Sequence, residues 1–261
     1  MSPALSGLVD GFDADVPFAV PDSWTQGRTA FGGLTAALSV QAALNTASAD
    51  LPPLRAAQFA FVAPVIDSVE LTANEMRRGR SATSVAVTAR SRDQVAAHAT
   101  LVFASPRPSG VVHDTLVPPA AADPTQCPPF AGDLSTTPAF VDNFDMRRAG
   151  GGMPLAGDEP RLLAWVRHRD ASGVHPAVAL VALADSLPPA AMTSFVEWAP
   201  VGTMTWTVHL CTDVLPQPDE WLLLESAATH TGDGYSHQSM TIWNAAGQPI
   251  VTGSQTVAVF A

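Results

Sequence analysis

The stretch RTAFGGLTAALSVQAAL, Arg28 to Leu44, limits what this chain can fold into more than any other. Its spacing predicts a helix from about Phe31 to Ala47. Phe31, Leu34, Leu38 and Ala42 mark one face, while Ala36, Ala37, Val40, Ala43 and Leu44 cover most of the rest. A helix that is apolar all round must be enclosed by the protein. Gly32 and Gly33 leave bare backbone at its start, where free N–H groups can meet a guest or a close neighbour. A second helix of the same kind is expected over His175–Leu187 (HPAVALVALADSL), with Pro176 well placed in its first turn.

Each helix precedes segments with the period of half-buried strands. After the first come Leu54–Ala63, Ser68–Met76, Thr83–Ser91 and Val95–Ala104, joined by the short turns PVID, RRGRS and RDQ. After the second come Thr203–Cys211, Trp221–Thr229, Tyr235–Trp243 and Pro249–Phe260, again with short turns such as NAAGQ. Short turns between successive strands imply antiparallel meanders. Leu162–Arg169 (LLAWVRHR) reads as a further strand before the second helix. The chain thus repeats one unit, an enclosed helix followed by a four-stranded meander. The simplest way to enclose each helix is to wrap its sheet around it, and two such sheets can join edge to edge. Between the units, Ser105 to Pro160 is rich in proline, glycine and small residues and reads as a long connection without packed elements. The division expected is 1–105, a linker over 106–150, and 151–261.

Composition excludes several functions. Hydrophobic residues make up 47% of the chain and charged residues 14%, enough apolar material for a large core. With 24 acidic and 13 basic residues the net charge is −11; every basic residue is arginine, and none follows Arg169. No basic face is available for nucleic acid. No apolar run reaches membrane-span length, and MSPALSGLVDGFDADV lacks the basic start and apolar run of a signal peptide, so the expected location is cytoplasmic. Cys127 and Cys211 make no disulfide framework, and Cys211, in an alternating strand, is expected in the core. The seven histidines show no metal-ligand spacing. No G-x-S-x-G is present; GYSHQ at Gly234–Gln238 does not fit it.

The order of motifs resembles the acyl-CoA thioesterase II family. FGG at Phe31–Gly33 opening a helix, RRGRS at Arg77–Ser81 before an alternating strand, and then LLAWVRHR, LADSL, GTMTWTVHL, EWLLLES and GSQTVAVF follow that family's sequence of features across nearly the whole chain outside the linker. The resemblance implies an α+β double hotdog, two tandem units each with a helix wrapped by a curved antiparallel sheet. It further implies hydrolysis of acyl-CoA to a free acid and coenzyme A, without cofactor or metal. By the same resemblance the catalytic residues are Asp185 in LADSL, Thr203 in GTMTW and Gln255 in GSQTV. Pro188-Pro189 depart from the family, which often has Asn or a bulky residue shortly after the Asp, and put the pocket wall in question. Double-hotdog hydratases and dehydratases acting on enoyl-CoA carry a D-x-N-P-x-H motif, whereas Asp185 is followed by SLPPAA, with neither Asn nor His. A non-catalytic acyl-ligand binder on the same fold is the remaining alternative. Association into a homo-oligomer is left open by the sequence.

Elementary chemistry bears on each residue. Asp185 is a lone carboxylate in an apolar helix, costly there unless paired, hydrated or used. A role as mere helix cap conflicts with the negative end of the dipole at a helix C-terminus. Thr203 fits a strand without any catalytic role and Gln255 fits the solvent face of one, although its neighbours Ser254 and Thr256 are polar too, so alternation alone does not place Gln255 outside. With Asp185 they supply a base and two groups that could hold a water. Aligning the two helices by their starts puts Gln41 near the place of Asp185, and matching the last hairpins puts Leu101 at that of Gln255, which implies one site per chain. For Gly32 and Gly33, binding a developing oxyanion and allowing tight packing are both open. Arg77, Arg78 and Arg80, with Arg28 a weaker candidate, are candidates for the coenzyme's phosphates; a solvated turn is the ordinary alternative.

Overall fold

The computed structural model describes residues 3–13, 16–47, 51–130 and 137–261. In chain order the elements are α1 (Leu5–Val9), the two-residue strands β1 (Phe18–Ala19), β2 (Thr25–Gln26) and β3 (Thr29–Ala30), α2 (Gly32–Thr46), β4 (Leu54–Phe61), β5 (Ser68–Arg78), β6 (Ala82–Ser91) and β7 (Gln94–Ala104). They continue with β8 (Phe144–Gly151), β9 (Arg161–His168), α3 (Pro176–Ala184), β10 (Val201–Leu210), β11 (Leu222–Gly232), β12 (Tyr235–Asn244) and β13 (Pro249–Val259).

Eleven strands form one sheet in the order β1-β5-β6-β7-β4-β10-β13-β12-β11-β9-β8. Every ladder is antiparallel. The two meanders meet at β4 and β10, where Thr205 lies opposite Ala60 and His209 opposite Ala56. Joining them edge to edge there removes two free edges. This is the double hotdog expected from the repeat.

α2 and α3 are apolar all round because each has protein on every side. α2 packs against β5, β6 and β7 and also against α3. All residues of α3 from Ala177 to Ala184 are buried. The helices cross where a Cβ on Gly33 would lie 2.8 Å from the Ala182 carbonyl oxygen and 2.5 Å from the Phe31 ring. Gly33 is therefore required for close packing, one of the two roles left open for it.

The stretch between the meanders departs from expectation. β8 pairs along β9 from Phe144↔His168 to Gly151↔Leu162 and closes the sheet at that edge. Phe140 stacks on Phe31 at the start of α2, with ring centroids 3.9 Å apart. Cys127 packs with Leu163, Trp165, Leu223 and Trp243 in a second cluster, and Trp165 Nε1 donates to the Ala122 carbonyl. Leu162 and Leu163 are both buried, so β9 is covered on both faces. That cover explains why LLAWVRHR is apolar without strict alternation. Residues 131–136 of this stretch lie outside the described residues. Cys211, expected in the core, is exposed just past β10, and both cysteines are free. α1 anchors the N-terminal segment through the buried Leu5 and Leu8. Among the described residues no helix is long and apolar enough to cross a membrane.

Candidate active site

Asp185 follows the last residue of α3, as its C-cap. At that point the chain has crossed to the N-terminus of α2. Phe31, the N-cap of α2, gives no side-chain cap, and the Gly33 N–H donates to the Asp185 carboxylate instead. A Cβ on Gly32 would lie 2.8 Å from Asp185 Oδ2; the missing side chain is what lets the carboxylate approach. The charge thus stands at the negative end of its own helix and at the positive end of the other, where an anion is favoured.

The second contact comes from β13. Gln255 Nε2 donates to Asp185 Oδ1 at 2.8 Å. Gln255 shares the inward phase of its strand with Val251, Val257 and Val259, and it is 6% exposed. Burial pushes the Asp185 carboxyl up to about 7, against the opposing pull of the Gln255 amide and the Gly33 N–H. Asp185 as a residue keeps partial exposure, while its carboxyl is surrounded by protein.

Asp185 and Gln255 line a small cavity together with Ala184, Leu187, Leu224, Glu225, Ser226, Gln238 and Met240. Its volume is about 10 Å³, close to the least that holds one water molecule. Ser226 is buried, and its hydroxyl has no hydrogen-bond partner within the protein. Glu225, the other titratable group in the lining, is held by Arg161 at 2.7 Å. Such a set can hold a water against a carboxylate whose pKa lies near neutrality, as general-base chemistry requires.

Thr203 does not line this cavity. It lies opposite Val257 at an irregularity where β10 shifts register against β13. Ser226 supplies the nearby hydroxyl instead. Arg77, Arg78 and Arg80 are not brought to the site. Gly32 lies level with Phe61, and Phe61 is connected through Ala97 and Ala89 to Leu71 on β5. The arginine turn begins with Arg77, six residues further along β5, roughly 20 Å at the rise of a strand. Arg78 is also engaged by Glu75 at 2.6 Å. Arg28 is exposed in the β2–β3 hairpin, three residues before Phe31. Ser226 and Gln238, passed over in the sequence, had one signal. Each is a polar residue on the inward phase of its strand, Ser226 with Leu222 and Leu224, Gln238 with Met240 and Ile242. Among the described residues no cluster of His, Cys, Asp and Glu could hold a metal ion.

Comparison with known proteins agrees with this architecture. A profile of the acyl-CoA thioesterase N-terminal domain matches residues 20–104, and one of the C-terminal domain matches residues 124–259. A hot dog fold protein of unknown function from Alicyclobacillus acidocaldarius is 26% identical with a TM-score of 0.83, the match covering 94% of this chain and 92% of that one. A putative thioesterase II from Thermobifida fusca is 21% identical with a TM-score of 0.77, over 94% and 92% of the two chains. The acyl-CoA thioesterase II TesB2 of Mycobacterium marinum is 19% identical with a TM-score of 0.74, over 94% and 93%. No curated protein matches the sequence. With both of its halves matched by these profiles, the chain belongs to the acyl-CoA thioesterase family and is a thioester hydrolase.

Proposed function

We propose that this protein hydrolyses acyl-CoA thioesters with Asp185 as general base. Asp185 takes a proton from the water in the cavity, and the water oxygen attacks the thioester carbonyl carbon. Ser226 and Gln255 orient that water through the hydroxyl and the amide that face the cavity. The first N–H groups of a helix have no partner within it, and the Gly32 N–H, beside the carboxylate, is assigned to the developing oxyanion. Collapse of the tetrahedral intermediate breaks the C–S bond, and the proton held on Asp185 passes to the departing thiolate. In this reading residues 151–261 supply the base and the amide, residues 1–105 supply the helix N-terminus, and 106–150 join them. Thr203 has no assigned step.

The observation that carries the proposal is the carboxylate itself. It is desolvated enough to titrate at about 7, and it lines a cavity for one water beside an unpartnered hydroxyl. A carboxylate that only capped α2 would need neither the cavity nor the hydroxyl. The test measures thiol release from a panel of short, long, branched and aromatic acyl-CoAs. Asp185→Asn keeps the size and is expected to lower turnover of the best substrate by about 10²- to 10⁴-fold with an unchanged melting temperature or a higher one. Turnover within a factor of two of the unmodified protein would refute the role of Asp185.

A further inference from the structure

Gln255 serves Asp185 only if its amide points the right way. With its NH2 towards Asp185 it steadies the ionised base; reversed, it would set a carbonyl oxygen against a carboxylate oxygen. The neighbouring groups fix the direction. Ala190 N–H lies 2.8 Å from Gln238 Oε1, and a backbone N–H can only donate. The acceptor end of Gln238 must therefore face Ala190, which turns its NH2 towards Gln255. Gln238 Nε2 donates to Gln255 Oε1, and Gln255 Nε2 is left for Asp185 Oδ1 at 2.8 Å. All three bonds run in one direction, and their origin is a peptide group that cannot rotate.

The local sequence supports this origin. Pro188 and Pro189 have no N–H to offer, so Ala190 carries the first donor after Leu187. Pro189 is the N-cap of the 3-10 turn Ala190–Ser194, which leaves the Ala190 N–H pointing out of the turn. Ala190, Gln238 and Gln255 are 0%, 4% and 6% exposed. Water cannot readily replace a bond in the series, and a reversed amide would leave several buried groups mismatched at once.

We infer that Gln238 is a positioning residue: it transmits the polarity of the Ala190 N–H to the Gln255 amide and thereby favours the ionised form of Asp185. The inference rests on the reading of Asp185 as the base. It gives the double proline, the departure from the family pattern, a definite role in orienting that base.

Two variants test it through the acid limb of the kcat/KM profile. Gln238→Met keeps the length and can neither accept from Ala190 nor donate to Gln255. Gln238→Glu still accepts from Ala190 but asks Gln255 to donate to it, which turns the Gln255 carbonyl oxygen towards Asp185. The limb is expected to move to higher pH by about one unit in the first and further in the second, with kcat down about tenfold and KM unchanged. Glu225 is the other titratable group in the lining, and Glu225→Gln should leave the limb in place. Equal thermal melts with the limb at the unmodified position in both variants would overturn the inference, whatever the loss of amplitude.

Where a variant fails to fold, the unmodified protein provides a second test. The side-chain NH2 resonances of both Gln255 and Gln238 should shift with the titration of Asp185, and neither should in Asp185→Asn. A Gln238 NH2 that ignores the titration overturns the relay. Full activity in Asp185→Asn would instead defeat the base while leaving the amide orientation measurable.

Discussion

In the second half of the molecule Asp185, Gln255, Gln238 and Ser226 converge on one cavity. The matching positions of the first half are closed. If Leu101 is placed at Gln255, the ladders put Val85 at Gln238 and Ala73 at Ser226. Leu101, Val85 and Ala73 are all buried. Gln41, near the place of Asp185, gives its amide to Asn45 at 2.7 Å. The helix starts differ in the opposite sense. α3 begins with Pro176 and is capped by its own His175, whose Nδ1 accepts from Ala177 N–H at 3.2 Å. α2 begins with two glycines and takes its cap from Asp185. The comparison teaches that the fold needs no polar residue at these three strand positions, which the first half fills with apolar side chains. In the second half the same positions are polar, and they gather at the helix end left open.

Making the halves alike should break the site. Gln255→Leu copies the first half, and turnover should fall by about 10²-fold in a thiol-release assay. The remaining activity should require a higher pH, since the amide that lowers the Asp185 pKa is gone. Gly33→Ala tests the open helix end. The new Cβ would meet the Phe31 ring and the Ala182 backbone, and overpacking of this kind costs about 1–3 kcal/mol in thermal or denaturant unfolding. Leu101→Gln runs the exchange the other way. It places an amide at a buried position with no partner prepared for it, so stability should fall by about 1–3 kcal/mol with no gain in turnover.

The smallest effect contrasts two titratable groups that burial moves in opposite directions. His168 on β9 donates Nε2–H to the Ala179 carbonyl of α3, and burial pushes its pKa down to about 4. A depressed histidine contributes stability that is present above about 6.5 and is lost as pH falls towards 4. Asp185 is raised, so its contribution is present at low pH and is lost as pH rises from 3.8 through about 7. His168→Gln should flatten the acid side of the stability curve and Asp185→Asn the neutral side, each by at most one proton's slope, about 1.4 kcal/mol per pH unit.

Period and composition revealed the double meander and both enclosed helices, because a strand of ten residues and a helix without a polar face leave strong local patterns. β1, β2 and β3 have two residues each, too short for any period to show. β8 was hidden because FDMRRAGG gains its strand character from pairing with β9, not from alternation. Within the site, Asp185 stood out as a charge in an apolar helix. Gln238 and Ser226 required the phase of each strand to be followed residue by residue. That Asp185 reaches α2 depends on how the two helices cross, and the distance of the Arg77–Arg80 turn depends on the register of three ladders. No local pattern encodes either.

The central claim is that a carboxylate at the junction of α3 and α2, kept from solvent yet held by Gln255 and Gly33, works as the base of this thioesterase. The pH dependence of kcat/KM for thiol release tests it most directly. The account predicts a single acid limb with its midpoint at about 7, the value at which Asp185 titrates, and loss of that limb in Asp185→Asn. A profile that is flat from about pH 5 upward, or a limb that survives the substitution, would contradict it.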